Sequence, residues 1–153
     1  MKLIRLLASV SAAVAIGGAA LAAEVAPGDV KFEDNAVATS VSGAPGNPEE
    51  GAKVVVNRSL GNCLACHAVS ALESESFHGD VAPPLDGAAD RWKPEELRAI
   101  VADSKKVFGD ETVMPGFYSL DVGKNVRENL IGKTILTAQQ VEDVVAYLAT
   151  LKE

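Results

Sequence analysis

The chain has 153 residues, with 21 acidic against 14 basic side chains and a formal charge of −7. That length holds one domain with a real core and leaves little room for a second, and the acidic balance argues against nucleic acid and anionic lipid while suiting a basic protein patch or simple solubility. Only two cysteines are present, Cys63 and Cys66, both in one short motif, so no disulfide framework supports the fold.

The N-terminus reads as a cleaved export signal. Lys2 and Arg5 precede an apolar run from Leu6 to Ala22, broken by Gly17 and Gly18 and ending in the small residues Ala20-Leu21-Ala22. As an uncleaved anchor the run is marginal in length, weak in Leu, Ile and Phe, and followed by no stop-transfer charges. Cleavage after residue 22 leaves 131 residues, takes the charge from −7 to −9 and delivers the chain to the periplasm, with no membrane attachment afterwards.

Residues 23–46 carry neither helical nor strand periodicity and are read as an extended N-terminal arm, irregular alone and able to order against a partner. The expected folded domain then runs over 47–153. A helix begins with Asn47 as cap, Pro48 at the first helical position and Glu50 where a capping-box acid belongs, with Ala52, Val55 and Val56 on one face and Gly61 at its end. A second follows Pro94, with Glu95 and Glu96 in its first turn and Leu97, Ile100 and Val101 on one face. In the third, Thr137 caps and Gln140 completes the capping box ahead of the stripe Val141, Val144, Val145, Leu148 and Leu151. The fold class is therefore all-α, with short helices and long loops. Three such helices make a poor core for this length, and loops beyond about a dozen residues need a functional reason. A large apolar cofactor enclosed by them is one.

The motif Cys63-Leu64-Ala65-Cys66-His67 admits three readings. As a haem attachment site, each sulfur adds across one vinyl group and the adjacent imidazole reaches the iron. As a zinc site it needs four ligands; Cys63, Cys66, His67 and His78 supply the number, but there is no second cysteine pair and the adjacent Cys66 and His67 strain a tetrahedron. As a redox dithiol it wants a preceding strand, where the pattern reads as helix. Export agrees with haem, since haem c is attached outside the cytoplasm.

Elimination then indicates the sixth iron position. After signal cleavage Met114 is the one methionine left, and it lies in "TVMPGFY", where Pro115 and Gly116 hold it on a loop rather than in a core. His78, in polar "SESFHGD", is expected to face water. The predicted axial pair, and so the metal ligands, are His67 and Met114. The carbonyl of Pro83, in "APPLDG", is the candidate acceptor for the other N–H of His67; the same segment is also simply a rigid polyproline-like turn.

With "GNCLACHAV", "APPLDG", "MPGFY" and "IGKTILTAQQVEDVVAYLATLK" read together, the chain resembles class I cytochromes c over most of 47–152. It is more closely similar to the SoxX family, the small monohaem subunits of the SoxAX cytochromes of sulfur-oxidising bacteria; the last segment, after the long loop 117–136, carries that closer likeness. The resemblance implies one covalent haem c and a heterodimer with a larger SoxA-like cytochrome. It also implies the pair's reaction, that of an L-cysteine S-thiosulfotransferase, in which thiosulfate is joined to a cysteine of a sulfur carrier protein with loss of two electrons. The sulfur chemistry then belongs to the partner, this chain has no catalytic residues, and it passes electrons to a downstream acceptor. Two other classes stay open from sequence: a free diffusible electron carrier, and a haem enzyme or gas sensor with an open sixth position.

Overall fold

The computed structural model of the protein describes residues 23–121 and 123–153; the expected signal, 1–22, lies outside them. Four α-helices are present among the described residues: α1 (Pro48–Val56), α2 (Ala88–Arg91), α3 (Pro94–Phe108) and α4 (Ala138–Leu148). Single 3₁₀ turns occur at Pro27–Asp29, Cys63–Ala65, Ser70–Leu72 and Glu128–Leu130. Extended pairing in this part is limited to one isolated bridge, Glu33 to Ala36. No described helix is long and apolar enough to cross a membrane.

The core is built where α1 crosses α4 and α4 meets α3. Val54 and Val55 of α1, Leu97 and Val101 of α3, and Val141, Val144, Val145 and Leu148 of α4 are all buried in it. Gly51 sets how close α1 can come: a Cβ there would run into the backbone carbonyl of Asp143 and lie 2.8 Å from the Cβ of Tyr147.

The caps show which signals were local. Thr137 and Gln140 close a full capping box on α4, with Gln140 N–H donating to Thr137 Oγ1 at 3.2 Å and Thr137 N–H to Gln140 Oε1 at 2.9 Å. Asn47 caps α1, accepting from Glu49 N–H at 2.9 Å. Glu50 does not complete that box. It pairs with Lys53 at 2.6 Å, and the N–H of Asn47 donates to Asp143 Oδ1 of α4 at 2.8 Å. A buried carboxylate from the crossing helix displaces the local one because it serves the cap and the crossing together. Helix α1 also stops earlier than expected, at Asn57 rather than Gly61, whose own lack of a side chain accommodates Val54 and Cys63.

The arm is ordered against the chain's own body. Val37 and Val41 are buried, and Val37 N–H donates to Glu95 O at 2.9 Å. Beneath them Arg98 of α3 forks onto Glu142 of α4, with Nε to Oε1 at 2.8 Å and Nη2 to Oε2 at 3.0 Å. The remaining valences reach the arm: Arg98 Nη1 donates to Val37 O at 2.8 Å, and Val41 N–H donates to Glu142 Oε1 at 2.8 Å. Two apolar plugs and a satisfied buried ion pair supply what an irregular segment lacks in periodicity.

Candidate functional site

Cys63 opens a 3₁₀ turn after Asn62, which takes a left-handed conformation at φ 49°. The N–H groups of Cys66 and His67 both donate to Cys63 O, at 3.1 and 2.9 Å, so the motif is one tight turn. Both thiols are partly buried and neither is in a disulfide. Burial pushes the Cys63 thiol up to about 11, with the nearby Cys66 adding to the rise and a backbone hydrogen bond opposing it. That is opposite to the depressed pKa of redox and metal-ligating thiolates, and it keeps a protonated thiol here.

The segment 79–85 runs alongside the motif and is tied to it by backbone hydrogen bonds. Gly79 N–H donates to Leu64 O, Ala82 N–H to Cys66 O and Leu85 N–H to Ala68 O, at 2.8 to 3.0 Å. The carbonyl of Pro83 is thereby aimed at His67, and His67 Nδ1–H donates to it at 2.6 Å. A carbonyl can only accept, so the tautomer is fixed and Nε2 keeps its lone pair for a metal. Arg91 of α2, unnoticed in the sequence, clamps the next turn by donating to Pro84 O at 2.9 Å and Asp86 O at 2.7 Å.

His78 does not face water. Its Nδ1 accepts from Val69 N–H at 3.1 Å and its Nε2–H donates to Leu72 O at 3.0 Å, so both nitrogens are engaged in holding the loop after the motif. Met114 is partly buried against the core. Its carbonyl accepts from Ser104 Oγ at 2.6 Å, a contact with a fully buried serine that nothing in the sequence signals. The two residues that follow its loop, Phe117 and Tyr118, are buried, with N–H groups donating to Val101 O and Ala102 O of α3 at 3.1 and 2.9 Å.

These residues fit a haem c. One imidazole has a fixed tautomer and a free nitrogen, two cysteines outside any disulfide share its turn, and a thioether sits on an anchored loop. The second histidine is committed elsewhere.

Comparison with known proteins agrees. The cytochrome c family profile matches residues 48–152. A chain in the crystal structure of SoxXA from P. pantotrophus is 48% identical, with a TM-score of 0.79, over 86% of this chain and 100% of that one. Among curated proteins no relative matches. The chain belongs to the cytochrome c family: it is a SoxX-like electron-transfer protein of all-α, class I fold that carries covalently bound haem c.

Proposed function

We propose that this protein is an exported, periplasmic subunit that accepts electrons from a larger SoxA-like cytochrome, which joins thiosulfate to a cysteine of a sulfur carrier protein. Cys63 and Cys66 would hold the haem through thioethers, and His67 and Met114 would supply the two side-chain ligands to its iron. The hydrogen bond from His67 to Pro83 carries this site reading, because it orients the imidazole and raises its basicity. Haem supplies a one-electron iron centre. The chain's own residues set the conditions for it: Met114 offers a thioether, which favours the reduced state relative to a second imidazole, and Pro83 holds the proton of His67 at Nδ1. With both cysteines committed, no thiol of this chain is left to carry sulfur. Two side-chain ligands on one metal likewise leave no coordination site for substrate. Sulfur transfer therefore belongs to the partner, and onward electron transfer to this subunit. The 48% identity to a chain of SoxXA supports the partnership.

The test compares the purified chain alone with an equimolar mixture of it and a SoxA-like cytochrome. Alone it should take an electron from a chemical reductant and turn over no thiosulfate. In the mixture, once the sulfur carrier protein with its free cysteine is added, thiosulfate should reduce it. Turnover by the lone chain would overturn the subunit reading, and failure to form an equimolar complex would make the protein a free carrier.

A further inference from the structure

We propose that Ser104 is a positioning residue for the sixth iron ligand, holding Met114 in place by docking its loop into a break in α3. The proposal rests on Met114 being that ligand. Helix α3 is interrupted at Asp103, where φ is −154° and ψ is 92°. At the break Asp103 Oδ1 accepts from Lys105 N–H at 3.2 Å. The carbonyls of Val101 and Ala102 accept from Phe117 and Tyr118 instead. Ser104, the next residue, is fully buried. A serine inside a helix usually bonds a carbonyl of its own preceding turn; this one donates across the break to Met114 O at 2.6 Å.

Other contacts grip the same loop. Lys105 Nζ donates to Thr112 O at 2.8 Å and to Asp110 O at 3.2 Å, ahead of the methionine. Behind it, Gly116 packs so tightly that a Cβ would stand 2.9 Å from Asp103 Oδ1 and from Ser119 Cβ. The Ser104 bond is the one that lands on the methionine itself. A thioether is a weak, neutral donor, so its occupancy of the metal depends on how firmly its backbone is placed. Removing the hydroxyl leaves Met114 O without its buried donor and loosens the backbone that carries the sulfur.

The experiment is titration of the ferric, haem-loaded protein with imidazole, which competes for the position Met114 occupies, followed by the sulfur-to-iron charge-transfer band and the reduction potential. Ser104→Ala should bind imidazole roughly tenfold more tightly, the size expected for losing one outer-shell contact, and Ser104→Thr should restore the original affinity. Gly116→Ala should shift affinity the same way, and it decides the matter if Ser104→Ala yields no loaded protein. Val55→Ala, a core truncation in α1, should leave imidazole affinity unchanged while lowering stability. The proposal is overturned if a loaded Ser104→Ala binds imidazole as the unaltered protein does, whatever Gly116→Ala does, or if Gly116→Ala is silent where Ser104→Ala cannot be loaded, or if Val55→Ala matches them. Met114→Leu separates the two layers. Loss of the charge-transfer band with silent Ser104 and Gly116 variants sinks the positioning role alone, whereas an intact band sinks the ligand reading and this proposal with it.

Discussion

At the scale of single residues, two side chains make predictions with a defined sign. Met114→His should keep a six-coordinate, low-spin haem and lower its potential, because nitrogen favours ferric iron more than a thioether does; redox titration with a visible spectrum reads both. Tyr118 concerns pH. Its hydroxyl donates to Val25 O at 2.7 Å and to Glu24 at 3.3 Å. Burial first, then Glu24, pushes its pKa from 10.0 up to about 12. The folded state thus holds the phenolic proton more tightly than the unfolded state. Its contribution is complete below the unfolded value and disappears as pH rises through the folded one. Tyr118→Phe should therefore lower stability by about 1 kcal/mol near neutral pH and by much less at about pH 12, with denaturant midpoints as the measurement. An unchanged difference between the two pH values would exclude this role.

At the scale of elements, two contacts set how the helices meet. Gly51→Ala should destabilise by about 3 kcal/mol, since the added methyl meets the backbone of α4, which cannot yield as a flexible side chain would. Glu142→Ala should cost about 3 kcal/mol, because it takes the carboxylate from the partly buried Arg98 guanidinium and leaves Val41 N–H without its acceptor. Thermal unfolding followed by circular dichroism measures both. The sequence announced the start and buried face of α4, because its box and stripe are local, though the helix ends at Leu148 and Leu151 is buried beyond it. It announced the start of α1 but not the Asp143 contact, which comes from 96 residues away. The break in α3 had no signal, since Pro94–Phe108 contains no internal proline or glycine to mark it. Of the candidate site, Met114 is the ligand proposed by elimination, and the turn of the motif and the contact of His67 with Pro83 were readable from spacing. Ser104 and Arg91 were not, because a lone helical serine and a surface arginine look ordinary until the chain folds back on them.

For the whole molecule, the arm and the loops stand where a larger protein would have more helices. Residues 23–46 cover the α3 and α4 junction through Val37 and Val41, and Val25 reaches the tyrosine that closes the Met114 loop. Arm, junction and Met114 loop are thus joined through α3, the element that also receives Phe117 and Tyr118. The arrangement suits a protein whose central group is large, apolar and fixed in place. It also accounts for a domain in which both cysteines stay out of disulfides. All of this depends on one proposed covalent link, that of haem to the chain at Cys63 and Cys66. Mass spectrometry of the acid-denatured protein, followed by peptide mapping, tests it directly. The account predicts a chain heavier by one haem, with the added mass confined to the peptide spanning Cys63 to His67; a haem-free chain, or one whose haem leaves on denaturation, would contradict it.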